Sequence, residues 1–337
     1  MNRKHPPSWL TTIVIIYASG TIVWIGFWLF HDDPDWWLIL LNHFGSLPLL
    51  LMLPLGCILI VNCHWRLVSL LLPALIFLFA LFGAYWRPTI SPEMQPDLIV
   101  MSYNVLYSND DFAAVESILR TYQPDLVALQ EVGPELFAYL QTNLADRYVA
   151  FHKADDPDHS TTAILSRYPL QNVAIVDLGA IRPAVVADLR VGEQTVTFIS
   201  AHLLYYGWLR LPWAEFPTKT KEVHHLQNQQ AQFLVAELER RATDIVILGC
   251  DCNSVDTSAT QVYLNRHFTN AAKASGWVLP QPQFPRLGPF YFPQRVDYIF
   301  YRGELIPQGT YTIYVSGGSD HFPVIGYFVG VMNGLTQ

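Results

Sequence analysis

Three stretches without a charged residue, Leu10 to Phe30, Trp36 to Cys63 and Leu67 to Trp86, fill most of the first 86 positions of this chain. Each reaches the ~20 apolar residues that span the hydrocarbon core of a bilayer, which predicts three transmembrane helices at 10–30, 36–63 and 67–86. Trp9, Trp28, Trp36, Trp37, Trp65 and Trp86 fall near the ends of these runs, where amphipathic rings settle among headgroups. A secretory signal is the rival reading of the first run, but it lacks a small-residue cleavage site and two more runs follow directly. Pro48, Pro54 and Pro73 lie inside the second and third runs. Neighbouring helices can satisfy the carbonyls that proline frees, so kinks are expected there and not breaks. His43 reads as a packed or interfacial side chain and not a ligand. Arg3, Lys4 and Arg66, set against a first loop of His31-Asp32-Asp33-Pro34-Asp35, put the amino terminus in the cytoplasm, with Arg87 counting the other way. Three crossings then place everything beyond Trp86 outside, as the extracytoplasmic part of a multi-pass cell-membrane protein.

The runs account for an otherwise odd composition. The 337 residues are 51% hydrophobic and 14% charged, with mean hydropathy +0.23, where soluble domains carry about a quarter charged residues. Before position 87 the only charged residues are Arg3, Lys4, Arg66, Asp32, Asp33 and Asp35, so the remainder carries the whole formal net charge of −8. This balance excludes a disordered chain and a basic nucleic-acid packager, and four cysteines exclude a disulfide scaffold. Cys57 and Cys63 lie in or beside the second run. Cys250 and Cys252 are two apart, a spacing that strains a bridge, so no disulfide is expected between them. The stretch 87–97, with Pro88, Pro92 and Pro96, reads as a short extended linker to a domain covering 98–337.

In that domain short apolar runs alternate with amphipathic ones, predicting a mixed α/β fold. Leu98 to Tyr103, Leu126 to Gln130, Thr195 to His202, Asp244 to Leu248, Val296 to Tyr301 and Thr310 to Val315 read as strands, and Phe112 to Tyr122 and Val223 to Arg240 as helices. Polar residues cluster where these strands end: Asn104, Glu131, His202, and Asp251 with Asn253. Asp297 lies on a later strand, and Asp320-His321 follows the Gly317-Gly318-Ser319 turn. Strand ends are where α/β sheets place ligands. Carboxylate, carboxamide and imidazole together suit a hard cation and attack on phosphorus. Any one of them alone is more often a turn former or helix cap. Six such places in one chain are hard to attribute to turn chemistry.

The same residues carry a resemblance. Met101-Ser102-Tyr103-Asn104, Leu129-Gln130-Glu131-Val132, Thr162 to Pro169, Ala201-His202-Leu203, Gly249-Cys250-Asp251-Cys252-Asn253, Arg295 to Ile299 and Ser319-Asp320-His321 resemble, in order, the motifs of the endonuclease/exonuclease/phosphatase superfamily over about 98–329. One departure is Cys250, where the family usually places glycine directly before the aspartate. The resemblance implies a deoxyribonuclease I-like four-layer α/β/β/α sandwich and a Mg²⁺-dependent hydrolase of phosphoric ester or pyrophosphate bonds, with Mn²⁺ as an alternative ion. It implies Glu131, Asn104 and Asp320 as metal ligands and His321 as general base or phosphate-polarising group, its imidazole held by Asp297. Asp251 would orient or deprotonate water, Asn253 would bond a phosphoryl oxygen, and His202 would contact the phosphate or protonate the leaving group. Whether Asp251 or His321 is the base stays open.

Substrate is read from the remaining residues. Tyr205 to Trp213 and Trp277 to Phe292 are rich in aromatics, either as an apolar loop core or as a lip facing lipid, with Arg210, Lys219, Lys221, Arg286 and Arg295 available to phosphate. Three spans followed by an outward domain resemble membrane-bound glycopeptide-resistance proteins of the superfamily, which implies release of phosphate from an undecaprenyl carrier. The expected partners are therefore the lipid bilayer and a phosphate-bearing, lipid-linked substrate, either a phospholipid or an undecaprenyl pyrophosphate. A tethered nuclease acting on DNA or RNA is the weaker reading, because a polyanion favours a basic face. A non-catalytic binding domain is weaker still, since an idle site has no need of so many convergent polar groups.

Overall fold

The structure, a computed structural model, describes residues 6–30, 34–87, 95–154, 161–179, 182–241, 243, 245–276, 286–287, 290–291 and 294–330. Helix α1 (Ser8–Phe30) is apolar throughout. At 1.5 Å per residue it is about 34 Å long, enough for a bilayer core of ~30 Å. The second run is not one helix. It divides into α2 (Trp36–His43) and α3 (Ser46–Val61), bent by 58° at Phe44-Gly45. Pro54 lies inside α3 without ending it; the bend has another cause. A Cβ on Gly45 would come within 2.7 Å of the Trp24 ring, so only glycine lets that ring in, and Trp24 Nε1 donates to Asn42 Oδ1 at 2.8 Å. The third run also departs from expectation, dividing at Leu71 into α4 (Trp65–Leu70) and α5 (Leu72–Phe82), with a 3₁₀ turn over Gly83–Trp86. Pro73 causes a break here and not a kink: it has no N–H to continue a helix and suits the first turn of a new one. Among the described residues one helix is long and apolar enough to cross a membrane, or two if the bent pair is a single span.

The rest is built from two six-stranded sheets. In the first, β1 (Leu98–Asn104) pairs parallel with β2 (Leu126–Gln130), and β3 (Ala150–Lys153), β4 (Ala163–Ser166), β13 (Ile306–Thr312) and β14 (Val324–Val329) add antiparallel, in the order β13-β14-β1-β2-β4-β3. In the second, β7 (Gln194–His202) pairs parallel with β8 (Ile245–Asp251). Around that pair lie β5 (Leu170–Val176), β6 (Ala184–Val191), β9 (Thr269–Asn270) and β12 (Asp297–Arg302), in the order β5-β6-β7-β8-β12-β9. A separate hairpin joins β10 (Arg286–Leu287) to β11 (Phe290–Tyr291).

Side chains alternate across each strand, so every sheet has two apolar faces to cover. Val100, Ala128 and Ile164 meet Ala187, Phe198 and Ile247 between the sheets. The outer face of the first sheet is covered by α6 (Phe112–Tyr122) and α7 (Pro134–Asn143) through Val115, Leu119, Leu136 and Leu140. That of the second is covered by α8 (Phe216–Glu239) and α9 (Ala259–His267) through Ala231, Leu234, Leu238 and Leu264. The result is the expected four-layer sandwich. At Gly249 the sheets approach closely enough that a Cβ would lie 2.4 Å from the Ala128 Cβ.

The N-terminal helices dock onto the sandwich by directional contacts. Trp28 Nε1 donates to the Thr257 carbonyl at 2.8 Å, and the Thr257 hydroxyl donates to the Asn42 carbonyl. Tyr85, fully buried, donates to the Asp256 carboxylate at 3.1 Å, which Lys273 also meets at 2.5 Å. A short helix, α10 (Ala271–Ser275), supplies that lysine. Cys250 and Cys252, both buried, form a disulfide that the spacing argument did not expect. Their Cα atoms stand 5.2 Å apart at the end of β8, within the usual disulfide range of about 4.4–6.8 Å.

Candidate active site

The two parallel strand pairs end side by side, and their last residues make the site. Register sets Asn104 opposite Gln130, His202 opposite Asp251, and Asp297 opposite Asp251 across the β8–β12 ladder. Glu131 follows β2 at φ +57° and Asn253 follows β8 at φ +46°. Non-glycine residues adopt such angles rarely and at some cost, and strain of this kind collects at functional sites.

Asn104 Nδ2 donates to Glu131 Oε1 at 3.2 Å and to Asp251 Oδ2 at 2.9 Å, while its Oδ1 accepts from the Leu106 N–H at 3.0 Å. His202 Nε2 lies 3.2 Å from Asp251 Oδ2 and 3.8 Å from Glu131 Oε1. The Asn253 N–H donates to Asp251 Oδ1 at 3.1 Å, and its side chain donates to the Leu203 carbonyl at 3.0 Å. His321 Nδ1 donates to Asp297 Oδ2 at 2.7 Å, which turns Nε2 toward Asp251 at 3.9 Å. The Ser319 hydroxyl anchors this arrangement, donating to the Asn104 carbonyl at 2.7 Å and accepting from the His321 N–H at 3.0 Å.

Asp251 is therefore the centre of the site. Burial alone would raise its pKa, but His202 and His321 outweigh that and hold the carboxylate well below its usual range. For His321, burial disfavours the imidazolium, yet Asp297 and Asp251 more than compensate and raise it well above 6.5. His202 goes the other way. Burial, and then the neighbouring Arg182 guanidinium, lower it and favour the neutral ring.

Seven of the eight residues singled out in the sequence interlock directly. The eighth, Asp320, is exposed and lines the same cavity. Among the described residues, two groups offer ligand atoms that lie within 4.8 Å of one another: Glu131, His202 and Asp251, and Asp251, Asp297 and His321. A divalent cation fits such donors, since Glu131 is partly open to the cavity and Asn104 stands beside it. Asn104 turns its Nδ2 toward Glu131 and Asp251, and its Oδ1, which accepts from the Leu106 N–H, keeps a second lone pair for a cation.

Arg182 was not foreseen. It lies two residues before β6, its guanidinium contacts His202 Nε2, and it donates to the Leu203 carbonyl at 3.1 Å. Its only sequence signal is a lone cation ahead of an apolar strand. Among the foreseen cations, Arg210 lines the cavity. Lys219 pairs with Glu222 at 2.8 Å, Lys221 with Asp35 at 3.5 Å, and Arg295 lies 4.9 Å from the Tyr85 ring. The side chain of Arg286 and most of the 277–292 segment lie outside the described residues. Of the aromatic loops, Tyr206 and Trp208 stack at 4.4 Å, and His43 of α2 sets its ring edge-on to Trp208 at 4.6 Å. Tyr206 and Trp208 thus pack against the N-terminal helices, while Tyr205 and Trp213 of the same loop are exposed.

The motif pattern of the Endonuclease/Exonuclease/phosphatase family matches residues 101–321. The chain belongs to that family, and is a hydrolase of a group whose members are metal-dependent phosphodiesterases and phosphatases. No curated protein matches the chain by sequence. Solved structures share the fold at low identity. A Danio rerio TDP2 complexed with single-strand DNA product superposes at TM-score 0.56 with 19% identity, over 69% of this chain and 98% of that one. The human Nocturnin catalytic domain with bound sulfate gives 0.56 and 19%, over 71% and 96%. A family protein from Leptotrichia buccalis gives 0.55 and 14%, over 69% and 99%.

Proposed function

We propose that the chain is a membrane-tethered, Mg²⁺- or Mn²⁺-dependent hydrolase cleaving a phosphate ester or pyrophosphate bond in a lipid-linked substrate, of phospholipid or undecaprenyl pyrophosphate type, at the outer membrane face. The observation that carries this reading is the lining of one cavity of about 680 Å³. Glu131, His202, Asp251 and His321 line it together with Tyr206, Trp208 and Phe216, a mixture suited to phosphate joined to hydrocarbon. The N-terminal helices support the tether, because Ile16, Val23, Leu51, Val61 and Ile76 are exposed and such surface is costly in water. The acidic charge weighs against a long polyanion. Single-strand DNA bound to the D. rerio TDP2 keeps a nuclease as the second reading.

In this reading Glu131, Asn104 and Asp320 hold the metal. When bound, the ion supplies positive charge to the phosphoryl oxygens. Asp251, kept ionised, accepts a hydrogen bond from the attacking water, which directs the water oxygen's lone pair at phosphorus. Asn253 donates to a phosphoryl oxygen, and His321, kept protonated by Asp297, donates to another, so both bonds tighten as charge builds there. Neutral His202, beside Arg182, faces the leaving group.

Purified full-length protein with Mg²⁺ or Mn²⁺ is expected to release phosphate or a headgroup from a panel of phospholipids and polyprenyl pyrophosphates, and His321→Ala to abolish the release. Turnover of DNA or RNA with none on lipids would replace the substrate reading. Protease treatment of intact cells checks orientation: a protected carboxy-terminal domain would place it inside.

A further inference from the structure

Helix α2 turns away from the line of α3 and runs along the catalytic domain. The bend at Gly45 is closed by Trp24, and α2 is held at both ends: Lys221 meets Asp35 at 3.5 Å before it, and the Thr257 hydroxyl meets the Asn42 carbonyl near its end. His43 faces Gln294, the side chain three residues before Asp297, at 3.1 Å. So placed, Leu40 and Phe44 line the same cavity as Glu131, Asp251 and His321. Phe44 stands 5.8 Å from the Trp208 ring, and Trp36 meets Phe216 at 5.8 Å. Part of the catalytic cavity's lining is thus built jointly by the N-terminal helices and the aromatic loop packed against them.

We propose that α2 forms the subsite for the substrate's tail: Leu40 and Phe44, together with Tyr206, Trp208 and Phe216, bind the first carbons of the alkyl or prenyl chain attached to the scissile phosphate. This rests on the lipid-linked reading and adds to it the part of the chain that selects the lipid. A phosphate at Asp251 and His321 has room for its substituent within the cavity, and the α2 side offers aliphatic and aromatic surface. Beyond Phe44, Leu47, Leu50 and Leu51 are exposed, so hydrocarbon leaving at that end meets apolar side chains and not water. Catalysis on such a substrate then needs the N-terminal helices as part of the site and not as a tether alone.

The test uses the full chain in lipid nanodiscs with Mg²⁺, titrated calorimetrically with methyl-, propyl-, butyl- and hexylphosphonate. Each buried methylene is expected to tighten binding about fourfold until the wall ends. In Leu40→Asn and in Phe44→Ala the hexyl-to-methyl affinity ratio is expected to fall at least tenfold. A wild-type slope that survives both substitutions overturns the α2 subsite and leaves the lipid reading standing. A wild type with no dependence on chain length overturns the lipid reading itself. Should the variants fail to fold, a photoreactive diazirine on the terminal carbon of hexylphosphonate answers the same question in the wild type. Labelling of residues 36–44 supports the subsite, and labelling confined to other segments overturns it.

Discussion

The N-terminal helices and the sandwich use similar apolar residues in opposite directions. In the sandwich, β2 and β8 are buried from end to end, and their side chains are divided between an inter-sheet core and a helix-covered face. In α1, Ile13, Ile16, Ile22 and Val23 point outward while Val14 and Trp24 pack inward. One region is apolar because its layers exclude water; the other, in the reading proposed here, because its surroundings do. They meet at loops next to residues of the candidate site: Asp256 and Thr257 follow Asn253, and Gln294 and Arg295 precede Asp297. The difference teaches that the seam between the two regions belongs to the site.

The sharpest way to break this comparison is a change that touches chemistry alone. Glu131→Gln is expected to lower turnover by about 10²-fold or more with little change in the unfolding midpoint, because Glu131 is partly open to the cavity and outside every core. A matching loss of fold, seen by calorimetry, would make the residue structural. Next in size is Gly249→Ala, where the added methyl meets the Ala128 Cβ at 2.4 Å and two sheets must part. A loss of about 1–3 kcal/mol or more is expected in denaturant titration, confined to the sandwich.

Tyr85→Phe probes the seam. It removes the hydroxyl that donates to buried Asp256, and a cost of about 1–2 kcal/mol is expected, with the helices and sandwich unfolding less cooperatively. An unchanged single transition would mean the regions are held together elsewhere. The smallest effect is one of pH in metal-free protein. His321 is raised above 6.5 in the fold, so its contribution to stability is full below that pH and fades as pH climbs through the raised value. Asp297→Asn removes a principal carboxylate partner and is expected to flatten this decline, followed by denaturant midpoints across the range. His202, lowered by burial, acts in the opposite window and is common to both proteins.

Much of the sandwich was legible locally. The spans read for β2 and α6 coincide with the structure, and those for β1 and β7 differ by one residue at an end. Turn and cap chemistry explains this: Asp111 caps α6 by accepting from the Ala114 N–H, and Gln123 ends it in the left-handed conformation. Strand β13 lies earlier than Thr310 to Val315, and β14 was not read at all; their pairing with each other and with β1 holds them, not their own pattern. Helix α8 begins seven residues before the predicted Val223, because Phe216 packs onto Trp36 and Trp208, contacts no local rule contains. The same holds for Arg182, whose partner His202 is twenty residues away. The 277–292 loop lies largely outside the described residues.

Sequence alone determined the two kinds of material in this protein, charge-free runs and an acidic α/β domain, and it named the polar residues of the site, because burial pattern and side-chain chemistry are written residue by residue. Only the tertiary structure decided where the runs break, which cysteines join, and which cation stands beside His202. It alone brought α2 to the cavity. Those outcomes turn on contacts between distant segments, such as Trp24 on Gly45, Thr257 on Asn42 and Tyr85 on Asp256, and no window along the chain contains both partners.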